Sequence, residues 1–148
     1  MSRDAIERLV HRYSDAVVQR DVEQWAATWA PDAVWDLGKG RRVEGRHAIR
    51  EMWATAMTRF EAVVQLVANG DAQLDEAAGT GTGRWYLHEA MRRSDGTNAL
   101  MLGHYDDTYA RIDDEWLFAS RELTPHYQGP ADLSGAFHSA AGDEPVGE

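Results

Sequence analysis

Between residues 4 and 20 the apolar positions Ile6, Leu9, Val10, Tyr13, Ala16 and Val17 recur every three or four residues, with charged side chains between them. That period predicts an amphipathic helix with one face turned to a core. Arg20-Asp21 interrupts the run. Asp21 followed three residues later by Gln24 is a capping-box pattern, so a second helix is expected to about Ala30, where Pro31-Asp32 stops it. Ala33–Leu37 alternates as a short strand, residues 38–42 read as a turn, and Val43-Glu44 is extended. Gly45 then opens a third helix, Arg46–Arg59, with Ile49, Met52, Trp53, Ala56 and Met57 on its apolar side.

From Phe60 onward the period changes to two. Strands are expected over Phe60–Ala68, Thr80–Met91, Ala99–Arg111 and Glu115–Leu123. Asn69-Gly70-Asp71, Ser94-Asp95-Gly96 and Asp113-Asp114 supply the turn signals between them. Three helices followed by a run of strands predict an α+β fold with a curved antiparallel sheet. The turn near Asp95-Gly96 sets which face of the fourth run looks inward. A two- or four-residue loop puts Tyr86 and His88 on the Tyr105 face, whereas a three-residue loop puts Trp85, Leu87 and Glu89 there.

A chain of 148 residues is expected to form one domain. The structured part is expected over residues 1–130, followed by an acidic tail rich in Gly and Ala over 131–148. Residues 138–148 are expected to be dispensable for folding, while Leu133 and Phe137 offer the tail two docking points. The net charge of -10 argues against a nucleic-acid partner and against anionic membranes. With no cysteine, disulfides, thiolate nucleophiles and cysteine-ligated zinc are excluded. The sequence shows neither a long apolar run nor a leader pattern, which makes a cytoplasmic location the expectation. No HExxH, acidic calcium loop or glycine-rich phosphate loop is present, so neither a metal nor another cofactor is expected.

Several segments stand out together: Tyr13, Arg20-Asp21, Trp25, Ala30 to Trp35, Glu44 to Ile49, Asn69 to Ala72, Gly103 to Asp107, Trp116 to Arg121 and Tyr127 to Pro130. In order and spacing they resemble the SnoaL-like branch of the nuclear transport factor 2-like superfamily. The resemblance covers residues 4 to 130 and implies a cone: a curved sheet wrapped against three N-terminal helices around an apolar cavity. That family includes polyketide cyclases, steroid isomerases, dehydratases and non-catalytic binding proteins, so the fold does not select the reaction. It also implies a homodimer joined through the exposed sheet face and a small hydrophobic molecule as ligand. In dehydratase-like relatives an aspartate at the position of Asp21 orients a histidine base. Here the histidine position falls on Phe60 and the following asparagine on Val64. The tyrosine of some dehydratases falls on Ala16, and the steroid-isomerase base near Leu37, one residue from Asp36.

Three residues are therefore candidates for chemistry. Asp21 is a base on the functional reading and a helix N-cap on the structural one. Arg121, on an apolar strand face, is either a clamp for an anionic ligand group or half of a buried salt bridge to Asp21 or Asp107. Tyr13 is a donor to a developing oxyanion or a core residue whose hydroxyl needs a partner. Trp35, Trp53, Phe60, Val64, Leu87 and Tyr105 are the expected ligand-contacting lining. The function expected from these residues is cofactor-free cyclase, isomerase or dehydratase chemistry on a small polycyclic or aromatic substrate. The alternatives are a binding protein with the same pocket and a dimeric scaffold module.

Overall fold

The structure, a computed structural model, describes residues 2–138. Apart from His138, the segment expected to be dispensable lies outside the described residues. Helices α1 (Ser2–Gln19), α2 (Val22–Ala26) and α3 (Arg46–Met57) pack on one side of a seven-stranded sheet. The strands are β1 (Trp29–Asp36), β2 (Arg42–Glu44), β3 (Phe60–Asp75), β4 (Thr80–Arg93), β5 (Asn98–Ile112), β6 (Glu115–Gly129) and β7 (Ala136–Phe137). Their order is β2-β1-β6-β5-β4-β3, with β7 added beside β6; only β1 and β6 run parallel. This is the α+β arrangement expected, with the helices first in the chain.

The apolar stripe of α1 is the reason it folds here. Ile6, Leu9, Val10, Tyr13, Ala16 and Val17 are all buried, and α1 lies across β3 and β6. The helix ends at Arg20, which adopts a left-handed φ of 58°, and Asp21 N–H donates back to Ala16 O at 3.0 Å. Arg20 then reaches across and donates to Phe60 O at 2.9 Å and to Met57 O, fastening the end of α1 to the α3–β3 junction.

Three local expectations are corrected. The second helix stops at Ala26, because Thr28 O accepts from Phe118 N–H and the chain from Trp29 joins β6 instead of coiling on. Asn69-Gly70-Asp71 is not a hairpin turn but an irregularity inside the 16-residue β3, between Val67 and Gly70. Gly70 is required there, since a Cβ would stand 2.3 Å from the Trp85 ring. The turn comes later, where Gly79 N–H donates to Asp75 O at 2.9 Å. Finally, β6 runs six residues beyond Leu123, and β7 pairs with its end through Tyr127 and Phe137. The sheet therefore continues past residue 130.

Beyond the Arg92–Asn98 pair, Arg93 N–H donates to Thr97 O at 2.8 Å, so three residues, Ser94 to Gly96, turn the chain between these two facing positions. Gly96 supplies the positive φ of 89° that this loop needs. The length fixes the register: Trp85 and Leu87 are buried, Glu89 faces the helices' side, and His88 is exposed on the outer face.

Candidate functional site

Between α1, α3 and the inner face of the sheet lies a cavity of about 150 Å³. Its walls are mostly apolar or aromatic: Trp35, Trp53, Phe60, Met57, Met91 and Met101, among others. Tyr13, Tyr105, Gln65 and Glu89 supply the polar atoms. The aromatic walls are pinned from behind. Trp53 stacks on Trp25 at 4.4 Å between centroids, and Trp35 Nε1 donates to Tyr105 Oη at 3.1 Å.

Among the described residues, Glu89 is the one carboxylate in this lining. It sits opposite Gln65 in the β3–β4 register, and Gln65 Nε2 donates to its Oε2 at 2.7 Å. The amide is itself oriented, because Ser14 Oγ donates to Gln65 Oε1 at 3.1 Å and lies 3.0 Å from Gln65 O. A chain of polar contacts thus runs from α1 through β3 to β4 and aims one carboxyl group at an apolar space. Burial pushes the Glu89 carboxyl above the usual range, and the Gln65 amide only partly opposes this.

Two phenols share the lining with Glu89. Tyr13 Oη and Tyr105 Oη are 3.5 Å apart, and burial raises both above the ordinary tyrosine value, so both remain neutral donors. Tyr105 Oη already accepts from Trp35. Whichever phenol donates to the other, one hydroxyl hydrogen is left without an acceptor among the described residues. That hydrogen is available to an oxygen or halogen of a bound molecule.

Arg121 lies behind the phenols and does not line the cavity. Its guanidinium covers the rings of Tyr105 at 4.0 Å, Phe118 at 4.1 Å and Tyr13 at 4.5 Å. Its Nε and Nη2 donate to the two oxygens of Asp107 at 2.7 and 3.2 Å. Tyr109 Oη donates to the same carboxylate at 3.0 Å and accepts from Trp85 Nε1 at 2.9 Å. Burial alone would lower the Arg121 pKa, but Asp107 and the two phenols hold it above its usual value, so the guanidinium is permanently charged. Of the two salt-bridge partners expected for Arg121, the structure provides Asp107.

Asp21 lies elsewhere. It is exposed, caps α2 by accepting from Gln24 N–H at 3.0 Å, and is absent from the cavity lining. The cap turns its carboxylate to solvent, so the structure does not bring Asp21 and Arg121 together. Val64 is also misplaced by the sequence reading. An irregularity between Phe60 and Ala62 shifts the alternation, turning Val63 and Gln65 inward and leaving Val64 42% exposed. Leu87 is buried in the core beside the cavity without lining it. Tyr13, Trp35, Trp53, Phe60 and Tyr105 do line it. His104 is on the outer face, sharing a 2.8 Å contact with His126 and a 3.1 Å contact with Asp106.

Glu89 and Gln65 were not among the candidates read from the sequence. The signal for Glu89 was present: under a three-residue β4–β5 loop it shares a face with Trp85 and Leu87. A glutamate in that apolar series marks either an exposed strand end or a deliberate buried group.

A helix-backed curved sheet closing on a small aromatic cavity defines the class of the fold. The chain belongs to the SnoaL-like domain family, whose model matches residues 1–122. Solved structures agree. A Novosphingobium aromaticivorans protein provisionally assigned as a scytalone dehydratase is 21% identical with a TM-score of 0.80, covering 98% of this chain and 93% of that one. A type 2 hexachlorocyclohexane dehydrochlorinase (LinA) is 20% identical with a TM-score of 0.79, covering 96% and 95%. A Mycobacterium tuberculosis protein of unknown function, Rv3472, is 26% identical with a TM-score of 0.72, covering 89% and 75%. No curated protein matches the sequence. Among the described residues no helix is long and apolar enough to cross a membrane.

Proposed function

We propose that the protein is a cofactor-free isomerase or lyase that moves a proton at carbon, with Glu89 as the proton carrier. The observation that carries this reading is a single oriented carboxyl group with a raised pKa, lining the same apolar cavity as an unclaimed phenol hydrogen. The Glu89 carboxylate takes a proton from a carbon next to a carbonyl. The carbonyl oxygen gains the electron pair and is held by Tyr13 or Tyr105 as an enolate. Return of that proton to a different carbon is isomerisation; departure of a β-hydroxyl that takes the proton from Glu89 is dehydration, releasing water. Arg121 acts from behind the phenol rings, opposing the rise in their pKa caused by burial. The dehydratase and dehydrochlorinase among the solved relatives are of the same reaction type, which supports the reading at the level of fold.

The test is exchange of the α-hydrogens of cyclohexanone in deuterated buffer. Exchange above the buffer rate is expected. It should increase as pH rises through a pKa above the ordinary glutamate range, because the base must be ionised to act. Exchange no faster than buffer at any pH would remove the enzymatic reading. Phe60, standing at the histidine position of dehydratase-like relatives, favours the second reading, a binding protein with the same cavity. In that case cyclohexanone binds without exchange.

The outer sheet face is the surface assigned to self-association. It carries exposed Leu66 and Val64 beside Tyr86, His104 and His126. Sedimentation equilibrium at micromolar concentration should give twice the chain mass of 16.6 kDa, and a monomer would refute the assignment.

A further inference from the structure

We propose that the cavity selects a molecule with one six-membered ring and one hydrogen-bond-accepting group, and excludes anions and fused two-ring systems. This deepens the reading above and rests on the cavity being the reaction site.

Size is the first restriction. Clefts for drug-sized ligands span about 300–1,000 Å³, whereas this cavity is about 150 Å³. An apolar cavity of about 150 Å³ holds one benzene. Met57, Met91 and Met101 can shift to admit a substituent. Three aromatic walls resist expansion. Trp53 is backed by Trp25, Trp35 is tied to Tyr105, and the Tyr105 ring lies against Arg121, which is fixed by two bonds to Asp107. Enlarging the cavity at these walls for a second fused ring would break one of these arrangements. The capacity thus narrows the polycyclic-or-aromatic expectation to a single ring.

Charge is the second restriction. An anion inside would share the lining with Glu89 and meet no cation there among the described residues. Arg121, the nearest cation behind the wall, is already saturated by Asp107 and covered by three aromatic rings. Desolvating an unpaired charge is costly enough to decide the outcome. What the lining accepts is a ring whose acceptor takes the unclaimed phenol hydrogen.

Quenching of tryptophan fluorescence by three probes at pH 7 tests this: cyclohexanone, cyclohexanecarboxylate and 1-tetralone. Cyclohexanone is expected to saturate, with each of the other two at least tenfold weaker. Tighter binding of the carboxylate or 1-tetralone than of cyclohexanone would overturn the proposal, as would binding of none of the three. Saturable, selective cyclohexanone binding without α-hydrogen exchange would uphold this ligand class while refuting the catalytic reading. The two failures are thus separable.

Discussion

Replacing Arg121 by methionine is expected to destabilise the protein by about 3–5 kcal/mol. The side chain is 2% exposed and its partner Asp107 is 3% exposed. Methionine fills the aliphatic volume and keeps contact with the Tyr13, Tyr105 and Phe118 rings, but it removes both donors to Asp107. A buried carboxylate is then left with Tyr109 alone, against a burial effect that already pushes its pKa upward. For a chain of this size the loss corresponds to a fall in thermal midpoint of roughly 10 °C. The double variant Arg121→Met, Asp107→Leu should be more stable than Arg121→Met alone, because no unpaired charge remains. Urea unfolding of the three proteins measures both terms. A single-variant loss below 1 kcal/mol, or a double variant less stable than the single, would mean that the pair does not anchor the wall behind the phenols.

Glu89→Gln should have opposite effects on stability and on chemistry. The folded-state pKa of Glu89 lies above its unfolded value, so between the two the folded protein binds the extra proton. Below the ordinary glutamate pKa of about 4.3 the group is neutral in both states and costs nothing. As pH rises through the raised folded value, ionisation in the cavity becomes a growing penalty. Glutamine carries no such penalty and retains contact with Gln65. The variant should match the parent near pH 4 and melt at a higher temperature near pH 8. Asp107 shifts in the same direction in both proteins and cancels in the difference. Proton transfer, in contrast, loses its carrier, which is worth on the order of 10²–10⁴ in rate. Scanning calorimetry against pH checks the first effect. A variant less stable than the parent at high pH would place Glu89 in a solvated or ion-paired setting.

The helical half of the fold was legible because its signal is local. The stripe from Ile6 to Val17 and the Asp21–Gln24 cap each determine a helix on their own. The strand order was less so. β1 begins at Trp29 only because Phe118, 89 residues away, offers it a parallel partner, and no window of sequence contains both. Asn69-Gly70 is a strong turn signal, yet Trp85 on the neighbouring strand uses the glycine as a gap for its ring. The aromatic lining was readable, since Trp35, Trp53, Phe60 and Tyr105 follow the periodicity of their elements. The misassigned residues have separate causes. Val64 was turned outward by a one-residue irregularity near the start of β3, which inverts the alternation as far as the second irregularity between Val67 and Gly70. Asp21 was selected by family position, whereas its own geometry makes it a cap. Glu89 could be placed only once the length of the Ser94–Gly96 loop was fixed, because that length decides which face of β4 is inside.

The assignment of the proton carrier is tested most directly by comparing cyclohexanone α-hydrogen exchange in the parent, Glu89→Gln and Asp21→Asn under identical conditions. Asparagine preserves the α2 cap, and glutamine preserves the Gln65 contact, so both variants should fold. The account predicts exchange within about twofold of the parent for Asp21→Asn and a loss on the order of 10²-fold or more for Glu89→Gln. Full exchange by Glu89→Gln together with a loss in Asp21→Asn would contradict it.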